Sequence, residues 1–261
     1  MEFDKFNFEE KIYEALDLMN FKNPTPVQQK AIPQILNGKD IIACAQTGTG
    51  KTAAFVLPIL DKLLKRKKKN SVNTIIITPT RELAKQIDTQ IEGFAYFTNN
   101  SSYAIYGGGT GVEYERQKQA IINGTEIIIC TPGRLLSHLE FNYFDTTSIK
   151  HIVLDEADKM LDMGFYNDII KIINKFPKNS QKLLFSATMP NKIRKLANKI
   201  LRKPSEISIS ISKPASGITQ SAYMVIDQKK INLISYIFKK RKNINKILIF
   251  ASSIKNVKEI N

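Results

Sequence analysis

The stretch Ala45-Gln46-Thr47-Gly48-Thr49-Gly50-Lys51-Thr52 lies between an apolar run, Asp40-Ile41-Ile42-Ala43-Cys44, and a helix-like run through Ala53, Ala54, Phe55, Val56 and Leu57. A buried strand that must turn into a helix across two glycines has few geometries open to it. Gly48 and Gly50 let the backbone point its amides inward, toward the free N–H groups of the first helical turn. Such a nest at a helix N-terminus is an anion site. Thr47, Gly48, Thr49 and Gly50 are placed to wrap phosphates, Lys51 to reach the β and γ phosphates of a nucleotide, and the Thr52 hydroxyl to bind Mg²⁺. Ala45 stands where the phosphate-loop pattern usually has its first glycine, so an ordinary glycine-rich turn is the alternative reading.

A second string narrows the choice. Ile152-Val153-Leu154 runs into Asp155-Glu156-Ala157-Asp158, and in parallel sheets ligands gather at the carboxyl ends of strands. Asp155 is then placed to hold Mg²⁺ from the side opposite Thr52, and Glu156 to position and deprotonate the water that attacks the γ phosphorus. An acidic helix start is the bland alternative, but it leaves the apolar run unexplained.

With these strings in place the chain resembles the DEAD-box RNA helicases, whose first-domain motifs it carries in order. They are Phe21-Lys22-Asn23-Pro24-Thr25-Pro26-Val27-Gln28, the phosphate loop, Pro79-Thr80-Arg81-Glu82-Leu83-Ala84, Gly107-Gly108, Thr131-Pro132-Gly133-Arg134, Asp155 to Asp158, and Ser186-Ala187-Thr188. The likeness runs from about Phe3 to the last residue, in the flavour of bacterial RhlE-type members. It implies ATP and Mg²⁺ as ligands, and single-stranded RNA or a short duplex as partner, held by sequence-independent backbone contacts. It also implies that Gln28 reads the adenine edge and that Phe3 stacks on the base. Ser186 and Thr188 hydrogen-bond Asp158 by the same resemblance and couple nucleotide state to RNA grip.

Several of these residues have a second reading. Thr25, Pro26 and Gln28 form a capping box with proline at the first helical position, so Gln28 can serve only to close a helix. Asn20 replaces the family's usual glycine, and asparagine is among the least penalised residues in the left-handed conformation that ends helices. Thr80 and Thr131 read as helix N-caps following strands Thr74 to Ile77 and Glu126 to Ile129. Capping and binding agree there, because two helix N-termini with Gly107-Gly108 nearby can hold successive phosphates of one strand. Only 7 of the 39 basic residues are arginine, yet Arg81 and Arg134 fall inside these motifs, where a planar fork suits phosphate better than an ammonium. Thr188 alternatively starts a helix.

Composition is compatible with this chemistry. The net charge of +15 and pI near 9.6 favour a polyanionic partner, although lysine, isoleucine and asparagine are enriched together, as coding bias alone produces. Lys65-Arg66-Lys67-Lys68-Lys69 reads as a solvated connector. Cys44 and Cys130 lack metal-ligand spacing and read as buried reduced thiols of a cytoplasmic protein; His138 and His151 have no recognisable partner motif. The acidic start Met1-Glu2-Phe3-Asp4 is no signal peptide, and no apolar stretch reaches the length of a membrane span.

Alternating apolar strands and amphipathic helices specify an α/β fold, a RecA-like doubly wound parallel sheet of the P-loop NTPase kind. Residues 1–204 form the ATP-binding domain, 205–217 an interdomain linker, and 218–261 the incomplete start of a second RecA-like domain. That last part is expected to carry strands Ala222 to Ile226 and Ile247 to Phe250 around a helix near Ile231 to Phe238, and to be poorly packed. The later second-domain motifs, including the arginines that complete the ATP site, are not in this sequence, so a fragment with slow hydrolysis is expected. The implied function is an ATP-dependent RNA helicase; a catalytically incomplete ATP- and RNA-binding module and a DNA translocase are the alternatives.

Overall fold

The computed structural model describes residues 2–66, 71–141, 143–209, 219, 221–240 and 245–260. They divide into two compact units, Met1–Ile211 and Ser212–Asn261. In the first unit a 3₁₀ turn, Phe3–Phe6, leads into α1 (Glu10–Leu18) and α2 (Pro26–Leu36). Then come β1 (Ile41–Cys44), α3 (Lys51–Leu64), β2 (Thr74–Ile77), α4 (Arg81–Phe94), β3 (Ser102–Ile105), α5 (Gly111–Ile122), β4 (Ile127–Cys130) and α6 (Pro132–Leu139). β5 (His151–Leu154), α7 (Ala157–Asp162), α8 (Tyr166–Asn174), β6 (Gln181–Ser186), α9 (Asn191–Ile200) and β7 (Ser205–Ser208) complete it. The sheet order is β3-β4-β2-β5-β6-β1-β7, and every pairing is parallel.

The unbroken apolar strands follow from burial on both faces. Ile41 and Ala43 of β1, Ile127 and Ile129 of β4, and Leu183 and Phe185 of β6 join one core with Leu16, Ile32, Phe55 and Ile91 from α1 to α4. Their neighbours Ile42, Ile128 and Leu184 point the other way, into a second core with Leu135, Met160, Ile172 and Leu196 from α6 to α9. Alternation of side chains along a strand thus feeds two helical layers.

Asn20 adopts φ 58°. Phe21 N–H returns to Leu16 O at 2.8 Å and Asn20 N–H to Asp17 O at 3.0 Å, a left-handed helix stop that a β-branched residue could not take. The turn aims Phe21 edge-on at Phe94, with ring centroids 5.3 Å apart.

Four expectations are corrected. Ser205 to Ser208 is not linker: Ile41↔Ser205 through Cys44↔Ser208 pair as an edge strand of the first unit. The rest of the expected linker, 210–217, lies outside the described residues, as do Ile218 at the expected start of the second domain and Lys67 to Lys69 of the basic run. Ala222 to Ile226 and Ile247 to Phe250 are not strands, because no described strand lies alongside to complete a hydrogen-bonded ladder. In the second unit α10 (Lys230–Lys240) covers the expected helix and α11 (Ile254–Ile260) follows; neither contains a buried residue. Cys44 is only half-buried, whereas Cys130 is buried. Thr188 does not begin a helix, because Pro190 caps α9. Among the described residues no helix is long and apolar enough to cross a membrane.

Replacing Asn20 with valine should lower unfolding free energy by about 1–2 kcal/mol, while Asn20→Gly should leave it unchanged or slightly raised. Urea denaturation of the three proteins measures the difference.

Candidate functional site

Parallel strands send all their carboxyl ends to one edge. The phosphate loop leaves β1 there, anchored by Ala45 N–H donating to Ser186 O at 3.0 Å, and Asp155 leaves β5, its N–H donating to Ile77 O at 3.0 Å. Gly48 and Gly50 take φ of 82° and 87°, and Gly50 is the N-cap of α3, whose first amides are left without helical partners. Lys51 is buried and donates from Nζ to Ala45 O at 2.9 Å. Thr49 turns its hydroxyl into the loop, onto Gln46 O at 2.7 Å.

A cavity of about 300 Å³ opens over this loop, lined by Thr47, Gly48, Gly50, Lys51 and Thr52 on one side and by Asp155 and Glu156 on another. Asp155 is buried, and its carboxyl is pushed up to about 6; burial is the main cause, Lys51 opposes it, and the Glu156 charge adds to it. Glu156 sits at φ 52°, ψ 49°, a left-handed conformation that costs a non-glycine residue of order 1 kcal/mol or more. Its carboxylate pairs with Lys159 Nζ at 2.8 Å.

These groups fit a nucleotide with its magnesium. The loop amides, a buried ammonium, a hydroxyl and a buried carboxylate share one cavity. Among the described residues no cluster of three or more His, Cys, Asp or Glu could hold a metal alone. Mg²⁺ needs no such cluster, because it takes one or two protein ligands and completes its shell with phosphate oxygens and water.

Other expected residues fall as follows. Gln28 is fully buried and lines neither this cavity nor the next. Its Oε1 accepts from Thr25 N–H at 2.8 Å, closing the capping box, and its Nε2 donates to Gly50 O at 3.0 Å, so the box also buttresses the phosphate loop. Phe3 lines a neighbouring cavity of about 320 Å³ with Asn23, and Phe21 lines both cavities. Thr188 donates to Asp158 Oδ2 from its amide and its hydroxyl, both at 2.9 Å. Burial alone would raise Asp158, but the Thr188 hydroxyl and the Lys159 and Thr188 amides outweigh it and hold the carboxyl below its usual range. The buried Ser186 hydroxyl also faces this carboxyl and helps to hold it down, although its geometry falls short of a well-formed hydrogen bond.

The RNA-motif residues lie at the same edge, beyond β2, β3 and β4. Thr80 caps α4, accepting from Leu83 N–H at 3.2 Å. Arg81 is exposed and ion-paired with Glu82, and a methyl group built at Gly108 would lie 3.6 Å from the Arg81 guanidinium. Thr131 occupies the N-cap of α6 without using its side chain to cap it, and the Arg134 guanidinium lies 5.0 Å over the Tyr114 ring.

Sequence reading missed the second wall of the cavity over the phosphate loop, Met19, Leu83, Gln86, Ile87, Gln90 and Phe94. Its signal was present: Leu83, Gln86, Ile87, Gln90 and Phe94 recur at helical spacing and mix two amides into the apolar face of α4. It also missed the partners of His138, a buried histidine at helical spacing from Leu135 and beside Leu139.

A family model described as DEAD/DEAH box helicase matches residues 25–196. The chain is 42% identical over 233 residues to the DEAD-box ATP-dependent RNA helicase RhpA of Helicobacter pylori, an alignment covering 89% of this chain and 46% of that protein. Against the ATP-dependent RNA helicase CshA of Listeria monocytogenes identity is 39% over 228 residues, covering 87% and 43%. The chain therefore spans less than half the length of these relatives. Among solved structures it is similar to a DEAD box protein from Methanococcus jannaschii, with TM-score 0.74 and 36% identity over all of this chain and 69% of that one. A hypothetical ATP-dependent RNA helicase from Sulfolobus tokodaii gives TM-score 0.69 and 37% identity over 77% and 57%.

Two predictions follow from the cavity. A methyl group at Gly50 meets Gln28 Nε2 at 2.5 Å on a backbone with φ 87°, so Gly50→Ala should abolish nucleotide binding, read by a fluorescent ATP analogue. Asp155 binds its proton more readily folded than unfolded, so at pH 7 its ionised form costs stability that is recovered as pH falls from about 6 to about 4. Asp155→Asn should raise the stability of the nucleotide-free chain at pH 7 by up to about 3 kcal/mol. The gain over the parent should shrink toward pH 4, and Mg²⁺-dependent nucleotide binding should be lost; thermal melts across pH measure the first two effects.

Proposed function

Because the chain belongs to the DEAD/DEAH box helicase family, we propose that it binds ATP with Mg²⁺ and grips single-stranded RNA by its backbone, in the service of ATP-dependent RNA unwinding in the cytoplasm. The observation that carries this reading is a shared edge. The phosphate loop, Asp155 and Glu156 leave β1 and β5 at the same end of the sheet as the helix starts after β2 and β4, and α4 contributes to both sites.

Lys51 would exchange Ala45 O for the outer phosphates, and Thr52 and Asp155 would hold the Mg²⁺. Bound there, Mg²⁺ would supply positive charge against the negative charge that develops on the phosphates. Glu156 exchanges Lys159 for the attacking water and takes its proton. Thr188 keeps Asp158 ionised and fixed, tying the end of β6 to the acidic turn. The N-termini of α4 and α6, the Gly107-Gly108 turn, Arg81 and Arg134 address phosphates and sugars, so the grip does not depend on base sequence. Phe3 and Phe21 supply apolar surface for the base. Gln28 acts on the nucleotide through the loop it supports, and reaches the adenine only by releasing Thr25 or Gly50.

None of the described residues lining the nucleotide cavity is an arginine. An arginine finger contributes about 10³ to 10⁵ in rate, so this chain alone should bind ATP well and hydrolyse it slowly. The decisive experiment compares ATP hydrolysis with RNA and with DNA of one sequence. RNA should stimulate and DNA should not, because the proposed backbone grip leans on the 2′-hydroxyl. Equal stimulation would replace this reading with that of a DNA translocase. In a complete protein that carries the second domain, Glu156→Gln should keep ATP affinity within about twofold and lower hydrolysis by about a hundredfold or more; unchanged turnover would remove Glu156 as the base.

A further inference from the structure

Among the described residues no ion pair involves Arg134, so its guanidinium is held by the Tyr114 ring 5.0 Å beneath it rather than by a carboxylate. The same ring stacks on His138, with centroids 4.4 Å apart and planes within 10°. His138 follows Arg134 by one helical turn, so the Tyr114 ring of α5 meets both on one side of α6, while its hydroxyl donates to Ser137 O at 3.3 Å.

The histidine is itself fixed. It is fully buried and stays neutral at physiological pH, pushed down to about 4 by burial and secondarily by the Arg134 charge. Its Nε2 meets the side-chain oxygen of Gln117 at 3.2 Å, which can only accept, so Nε2 carries the proton and Nδ1 accepts from the Tyr143 hydroxyl. The other end of the Gln117 amide donates to Tyr106 O at 3.2 Å. Tyr106 immediately precedes Gly107-Gly108. A continuous set of contacts therefore runs from the guanidinium, through one aromatic stack and one side-chain amide, to the backbone of the glycine turn.

We infer that Tyr114 is a positioning residue for Arg134, and that its stack with His138, tied through Gln117 to the backbone ahead of Gly107, makes the glycine turn and the α6 start one rigid unit for adjacent phosphates of a single RNA strand. The inference rests on the RNA-binding reading above. Pre-ordering matters because an arginine that must be immobilised on binding loses side-chain entropy that this arrangement has already given up. Tyr114 itself touches no phosphate and acts only through its neighbours.

The test is fluorescence anisotropy of a labelled single-stranded uridine oligonucleotide against the 261-residue chain at several salt concentrations, with MgATP-analogue binding measured in parallel to report folding. Tyr114→Phe keeps the ring and should bind RNA within about twofold of the parent. Tyr114→Leu should weaken binding about fivefold. It should also flatten the dependence of log affinity on log salt by about 0.7, the share of one phosphate contact, as Arg134→Ala does. The double variant should be no weaker than Arg134→Ala alone. Unchanged RNA affinity in Tyr114→Leu, or losses that simply add in the double variant, overturns the inference while leaving the RNA-binding reading intact. A parent chain that binds the nucleotide but no RNA overturns both. Should Tyr114→Leu fail to fold, Tyr143→Phe carries the test: it removes the hydroxyl that donates to His138 and lies 3.4 Å from the Tyr114 hydroxyl, so it should weaken RNA binding, and RNA affinity equal to the parent's would overturn the inference.

Discussion

Because all seven strands run in one direction, every loop that leaves a strand's carboxyl end arrives at the same edge, and residues separated by a hundred positions meet there without any special contact to bring them together. Lys51 and Asp155 are neighbours because β1 and β5 both flank β6. Thr80 and Thr131 are neighbours because β2 pairs with β4. The sheet can be parallel only if helices cover both faces, and the two apolar cores satisfy that requirement with side chains that alternate along each strand. Function here is a by-product of strand direction, with local chemistry added at the ends.

The local chemistry works against stability. Asp155 is a carboxylate placed where burial resists its ionisation, and Glu156 is held with a positive φ that only glycine adopts freely. The surrounding structure supplies the compensation, through the capping box of α2 braced against Gly50 O, through Thr188 on Asp158, and through the fully buried strands on either side. Sites of this kind hold groups in conformations that the free chain would avoid. On the proposed function, an ion with two positive charges would offset the cost of the buried carboxylate when a nucleotide binds.

The elements that could be read from residues alone are those buried most. Strands β1, β2, β4, β5 and β6 announce themselves as unbroken apolar runs, whereas β3 and β7 do not. Both are edge strands, with one flank unpaired and several half-exposed positions, so their composition, Ser-Tyr-Ala-Ile and Ser-Glu-Ile-Ser, carries little hydrophobic signal. The same limit explains why Ser205 to Ser208 passed for linker. The phosphate loop, the acidic turn and the helix caps were readable because backbone geometry there demands particular residue types. Gln28 was readable as a cap, but its bond to Gly50 O joins positions 22 apart and leaves no local trace. His138 and Tyr114 likewise meet only because α5 and α6 pack together. In the second unit, Ile247 to Phe250 has the composition of a strand, yet Leu248 and Phe250 are 79% and 88% exposed and have no ladder to join. Apolar composition is a request for partners, not evidence that they are present.

Helix α4 has a mechanical property that neither site reveals by itself. Its C-terminal end is seated against the turn after α1, where a methyl group built at Gly93 would come within 3.0 Å of Met19 and where Phe94 meets Phe21. Its opposite end carries Arg81. A rod of this length extends about 20 Å beyond that seat, so a tilt of about 5° at the nucleotide's wall moves the arginine by roughly 2 Å, more than half the length of a hydrogen bond. The smallest residue in the helix, Gly93, lies at the seated end, and the charged Arg81 lies at the other.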